Sequence, residues 1–295
     1  MGCREAHATG IMAANHTNSA PERTSHREGL HSMRSLIPRR WLAIGLASVL
    51  LVGLPSIAAA SHSWGGYHWA RIGNPFTIKL GNDLSSGWQT YLGRASSDWS
   101  VSDVLDATIV TGQAKPRNCR PTAGRDEICN ASYGNTGWLG VAQIWITGGT
   151  HITQGTVKVN DTYFNSSTYN TSAWRQMVMC QEIGHTFGLD HQDENFTNTN
   201  LGTCMDYTND PTGKAGTNGT LANTSPNQHD YDELDIIYAH LDSTTTVGAV
   251  VTSSPSLGGS DWGRQVSVSK DGRTSVFMKA DGHGNAVITY VIWAG

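Results

Sequence analysis

Charge is scarce in this chain. Asp, Glu, Lys and Arg together make up 15% of its 295 residues, and neither sign forms a long run. Twenty basic side chains stand against 24 acidic ones, a formal net charge of −4. That offers no basic field to nucleic acid or to an anionic bilayer, so neither is expected as a partner. Also missing is an uninterrupted apolar stretch of the ~20 residues that a membrane span needs. The longest candidate, Trp41 to Leu54, ends at Pro55. Cysteines number five and prolines nine, and no internal repeat is visible. A disulfide-built miniprotein, a proline-rich linker and a repeat solenoid are thereby excluded.

What is present begins with an export signal. Arg34, Arg39 and Arg40 precede the apolar run, and Ala58-Ala59-Ala60 follows it. A basic segment, an apolar segment and a small-residue cleavage site together read as a signal peptide cut after Ala60. Met33 is the natural start of such a leader, so residues 1–60 are expected to be an N-terminal extension plus signal. Secretion and freedom from the membrane after cleavage follow. Residues 61–295 suffice for one well-buried core. Cys3 would be removed with the leader, leaving Cys119, Cys129, Cys180 and Cys204. An even number in an exported chain implies two disulfides. Of three pairings, sequence proximity favours Cys119–Cys129 with Cys180–Cys204. Asn130, Asn160, Asn165, Asn170, Asn195, Asn218 and Asn223 are sequons, relevant only in a eukaryotic host.

Local patterns sketch the organisation. Ile72–Leu80 reads as a strand, Ser86–Ser100 as an amphipathic helix and Asp106–Thr111 as a short strand. Residues 112–137 read as a loop. Gly140–Thr147 and His151–Val159 form an expected hairpin about Gly148-Gly149. Ser172–Gly188 reads as a helix, and residues 192–224 as a second long loop. Ser225-Pro226-Asn227-Gln228 announces a last helix with Ser225 as its cap. From residue 245 the chain is β-rich, with three short strands expected to make a small sheet of their own.

The chemistry concentrates in Gln181-Glu182-Ile183-Gly184-His185-Thr186-Phe187-Gly188-Leu189-Asp190-His191. On a helix, Gln181 and His185 share one face a turn apart and can grip one metal ion. Glu182 sits beside them, placed to act on a nucleophile rather than to ligate. Gly188 can take a positive φ and turn the chain, which would return His191 as a third ligand. Three protein ligands with one open position suit a catalytic zinc.

This segment resembles the metzincin signature H-E-x-x-H-x-x-G-x-x-H at every fixed position except the first, where Gln181 stands for histidine. Cys204-Met205-Asp206-Tyr207 is similar to the methionine turn of that clan. Tyr207 holds the place from which, in astacin-like and serralysin-like branches, a tyrosine reaches the metal or the oxyanion. The resemblance spans roughly residues 64–242. It implies an α+β catalytic domain over 61–244, with a twisted mixed sheet, an active-site helix, a Met-turn and a C-terminal helix, followed by a β-rich extension over 245–295. It further implies Zn²⁺ held by Gln181, His185 and His191, with Glu182 as general base and Tyr207 assisting. The implied activity is a secreted, monomeric metalloendopeptidase acting on peptide or protein.

Several alternatives stay open. An amide oxygen is a harder, weaker zinc ligand than imidazole, so a weakened or inactive binding protein on the same scaffold is the rival, with a non-peptidase hydrolase third. Cys180 is a second candidate ligand, although it projects away from the His185 face. Substrate is expected along the strand within His151–Val159, with Trp145 or Phe164 lining a pocket. Asp193-Glu194 and Asn209-Asp210 are candidate calcium ligands, but their spacing matches no defined calcium loop. No matrixin-like cysteine segment precedes the first strand.

Overall fold

The computed structural model describes residues 61–214, 219–249, 257 and 261–295. The expected leader and extension, residues 1–60, lie outside the described residues. Among those described, no helix is long and apolar enough to cross a membrane.

A single mixed sheet carries the folded unit. Its strands are β1 (His68–Trp69), β2 (Phe76–Asp83), β3 (Leu105–Thr111), β4 (Asp126–Ala131), β5 (Trp138–Thr147), β6 (His151–Asn160), β7 (Arg264–Val268), β8 (Thr274–Ala280) and β9 (Ala286–Trp293). They run in the order β3-β2-β4-β6-β5-β9-β8-β7, with β1 beside β6. From β3 to β6 the pairing is parallel; from β6 through β5, β9, β8 and β7 it is antiparallel. Helices α1 (Gln89–Trp99) and α3 (Ser172–Thr186) pack together, and α3 lies on β5 and β6. Short α2 (Asp161–Phe164) and closing α4 (Gln228–Ile237) complete the helices. Trp69, Ile78, Leu80, Leu92, Trp99, Val157, Val178, Ile183 and Phe187 fill the core between sheet and helices. Cys119–Cys129 and Cys180–Cys204 form the two disulfides, the pairing that proximity favours.

Four expectations need correction. Residues 112–137 contain β4, whose acidic start hid it: Asp126 and Glu127 are buried, Asp126 taking a hydrogen bond from Thr186 and Glu127 pairing with Arg125 at 3.0 Å. The cap of α4 is Asn227, not Ser225. The Asn227 side chain accepts from the Asp230 amide while the Asp230 carboxylate accepts from the Asn227 amide, and that reciprocal pair outcompetes the serine two residues earlier. The strands β7–β9 extend the main sheet through β5 instead of forming a separate one. Finally, β6 within His151–Val159 is flanked by β4 and β5, so it offers no free edge.

Candidate active site

Helix α3 begins where the Thr171 hydroxyl accepts from the Trp174 amide. It delivers Gln181, Glu182 and His185 into the interior, each fully buried. The helix end is fixed from outside. The Trp69 indole donates to Thr186 O at 2.9 Å, and the Tyr238 hydroxyl to Phe187 O at 2.9 Å, supplying carbonyls the helix cannot satisfy itself. Gly188 then takes φ +99°, and a Cβ there would stand 2.0 Å from the Tyr67 carbonyl oxygen. Only glycine permits that reversal.

The reversal returns His191 to His185. Their Nε2 atoms face each other at 3.2 Å with the rings nearly perpendicular. His185 Nδ1 lies 2.9 Å from Leu189 O; a carbonyl can only accept, so this nitrogen carries the proton and Nε2 is bare. His191 Nδ1 lies 3.1 Å from the Glu194 carboxylate. That contact, with a hydrogen bond from Thr274, holds Glu194 down to about 2. Burial pushes His185 well below the ordinary imidazole value, and the neighbouring His191 adds to the effect. At His191 burial also pulls downward, but the Glu194 bond and charge outweigh it, and its pKa is raised. Two lone-pair-bearing nitrogens at this separation are favourable only around a cation, either a shared proton or a metal.

Gln181 and Glu182 point to the same need. Among the described residues neither amide atom of Gln181 is paired, and the Glu182 carboxylate is faced only by the Ala142 amide, outside good hydrogen-bond geometry. Four buried polar atoms on adjacent residues without a well-formed hydrogen bond are costly in a closed core. Burial drives the Glu182 carboxyl well above its usual range, only partly opposed by the facing Ala142 amide. Gly140 of β5 makes room for that carboxyl: a Cβ there would meet Glu182 Oε1 at 2.3 Å. Beneath the helix, Met205 Sδ would lie 2.6 Å from a Cβ at Gly184, with Trp99 also in contact range. The methionine therefore supports the His185 turn from below, and the Cys180–Cys204 bridge ties its loop to α3. Cys180 is thus spent in a disulfide and is no ligand.

The chain's own C-terminal strand roofs this centre. Strand β9 pairs antiparallel along β5, with Val141 opposite Val291 and Ala142 opposite Tyr290. The Tyr290 ring stacks on the His185 imidazole at 4.2 Å between centroids, 5° from parallel. The Tyr207 hydroxyl donates to the Trp293 carbonyl at 3.1 Å. Trp145 and Phe164 are both buried, and Phe164 packs edge-on against Trp88 at 4.9 Å. The carboxylates considered for calcium are engaged within their surroundings. Asp193 accepts from Asn195 and Asn198, Glu194 from His191 and Thr274, and Asp210 from Thr212.

Of the expected residues, the fold brings His185 and His191 face to face, sets Met205 against Gly184 between Gln181 and His185, and buries Gln181 and Glu182 on the same helix, while the Tyr207 hydroxyl is taken up by Trp293 O. Sequence reasoning missed Glu194, Tyr290 and Thr274. Glu194 had a legible signal, since a carboxylate three residues past a candidate ligand can orient its second ring nitrogen. Tyr290 and Thr274 had none, because only long-range strand pairing brings them in.

No family model matches the chain, and no curated protein matches it. Among solved structures it is similar to high choriolytic enzyme 1, a hatching enzyme zinc-protease from the medaka fish Oryzias latipes. Identity is 11%, covering 60% of this chain and 96% of that chain, with a TM-score of 0.33. A likeness that distant supports neither a fold nor an activity, which rest on the geometry above.

Proposed function

We propose that this chain is a secreted, zinc-dependent peptide hydrolase of the metzincin kind, held latent by its own C-terminal strand. The observation that carries the reading is the facing Nε2 pair of His185 and His191 at 3.2 Å, both rings oriented through Nδ1, beside the unpaired amide of Gln181 and the poorly paired carboxylate of Glu182. Two neutral imidazoles and an amide oxygen are a donor set that zinc accepts, leaving a fourth position open. His185, His191 and Gln181 would hold the ion. Zinc bound there polarises a peptide carbonyl and makes water a nucleophile near neutral pH.

The remaining steps belong to the protein. Glu182, ionised, takes a proton from the attacking water and passes it to the departing amine. Tyr207 donates its hydroxyl to a main-chain carbonyl of β9 at present. With β9 gone, the same hydroxyl can donate to the carbonyl oxygen of a substrate as it gains charge. An extended peptide would add to β5 along the edge that β9 now fills, using the same antiparallel main-chain bonds. Specificity would then come from alternate side chains along that strand.

One observation favours the rival, a non-catalytic binding protein: the centre is wholly buried, with Gln181, Glu182 and His185 inaccessible. Metal analysis and a mutant separate the readings at their first step. The full chain is expected to hold one zinc more than His185→Ala. A chain that takes up no zinc at this centre until Gln181→His is introduced would mean the natural protein is a disarmed relative.

A further inference from the structure

We propose a second metal site, in which His68, His240 and Asp242 hold a zinc ion that clips the start of the folded unit to the segment after α4, with His151 beside the same carboxylate. It requires nothing of the hydrolase reading.

The register of the sheet prepares it. Strand β1 pairs parallel with β6, and His68 stands directly opposite His151. After α4 the chain folds back along β1, the Asp242 amide donating to Arg71 O at 2.9 Å and the Thr246 amide to Ala70 O at 2.9 Å. This brings His240 and Asp242 over the two strand histidines. The ring of His68 sits 4.6 Å from that of His240 and 5.0 Å from that of His151.

Three donor atoms converge. His68 Nε2 lies 3.2 Å from His240 Nε2 and 3.5 Å from Asp242 Oδ1, and His240 Nε2 lies 3.7 Å from Asp242 Oδ1. Ligands around a tetrahedral zinc with bonds of 2.0–2.1 Å are about 3.3 Å apart. The three separations fall around that edge length. His151 Nε2 meets the group only at Asp242 Oδ1, 3.2 Å away.

The orienting contacts are also in place. His68 Nδ1 is 2.7 Å from Gly66 O, which fixes the proton on that nitrogen and leaves Nε2 bare toward the centre. Arg71, itself buried, takes the other carboxylate oxygen of Asp242: Nη1 at 3.0 Å and the backbone amide at 3.1 Å, both to Oδ2. Oδ1 is thereby directed at the histidines. A plain hydrogen-bond cluster accounts for less. His240 has one Nε2 proton to give and two neighbours in reach, and His68 has none on that side. A cation satisfies every contact at once. Two imidazoles and one carboxylate suit zinc among the common divalent ions.

Access fits as well. The side chain of His240 is 55% exposed, so an ion can enter from solvent. Three protein ligands leave one position for water. The site shares no ligand with the first centre, although Tyr67 and Trp69, on either side of His68, reach Gly188 and Thr186 at the end of α3. By joining β1 to the chain beyond α4, an ion there would stabilise the fold.

The test counts zinc in the full chain, stripped with a chelator, reloaded with zinc alone and desalted, for wild type, His240→Ala and Asp242→Asn. His240 is solvent-exposed, so its variant is expected to fold. Each variant should hold one zinc per chain fewer than wild type and lose part of the zinc-induced rise in Tm. In His185→Ala/His191→Ala the second zinc should remain, and should vanish when His240→Ala is added. Unchanged zinc content in both single variants overturns the proposal, whatever happens at His185 and His191. Loss of all zinc from His185→Ala/His191→Ala overturns it equally and leaves the first centre as the sole one.

Discussion

Replacing Tyr290 by alanine should unmask the proposed peptidase activity. The ring is 1% exposed and lies flat on His185, so it anchors β9 at the centre of the roof. Truncating a buried aromatic side chain typically removes about 3–5 kcal/mol of stability. The roof consists of β9 with its hairpin partner β8, and β9 meets the remainder of the sheet only along β5. Opening of that unit is therefore a local event that precedes global unfolding. If most of the loss falls on this opening, the open population rises by about 10²–10³-fold, at 1.4 kcal/mol per factor of ten. Cleavage of an internally quenched peptide by the zinc-loaded full chain should rise by a comparable factor while the open form stays rare. Tyr290→Phe keeps the ring and should stay latent. Equal, low activity in wild type and Tyr290→Ala, with limited proteolysis showing the tail released in the latter, would refute the idea that β9 is what holds the site closed.

Three further predictions rest on the scaffold around the site. Asp126→Asn should flatten the pH dependence of stability. Burial raises this carboxyl to about 8 from 3.8, so between those values the unfolded chain ionises first and wild type loses up to about 1.4 kcal/mol per pH unit as pH rises. The single Thr186 hydroxyl hydrogen faces both Ile183 O at 2.7 Å and Asp126 at 2.8 Å, an arrangement relieved when Asp126 carries the proton; urea melts from pH 4 to 8 would show an unaltered slope if this is wrong. Gly188→Ala forces a side chain to φ +99° and into the Tyr67 carbonyl, and should lose at least about 2 kcal/mol together with zinc binding, read by melting and metal analysis. Cys180→Ser/Cys204→Ser opens a loop with a sequence separation of 24 and should lower stability by about 3 kcal/mol, measured by urea unfolding against wild type.

The parts of this protein legible in its sequence are those written locally. The last turn of α3, its glycine-mediated end and the return of His191 all lie within the eleven residues 181–191, so spacing alone places them. The hairpin of β5 and β6 is announced by its own turn. The disulfides follow proximity because the loops they close are short. What was illegible depends on partners remote in sequence. Strand β4 reads as loop until Arg125 and Thr186 supply partners for its buried acids. The choice between Ser225 and Asn227 as cap is settled by which side chain finds Asp230. The role of the tail turns on β9 choosing β5, about 145 residues away by pairing register, a choice no local pattern encodes. The cluster of His68, His151, His240 and Asp242 is the extreme case, four residues joined by register and chain return alone.

The central claim is that Glu182 works as a general base beside a metal held by His185 and His191. The most direct measurement compares zinc-loaded wild type and Glu182→Ala for cleavage of an unfolded protein substrate after the tail has been released, with zinc content measured on the same samples. The account predicts equal zinc in both and cleavage lowered by about 10²–10⁴-fold in the variant. Undiminished cleavage in Glu182→Ala, or a wild type that carries zinc and cleaves nothing once β9 is displaced, would contradict it.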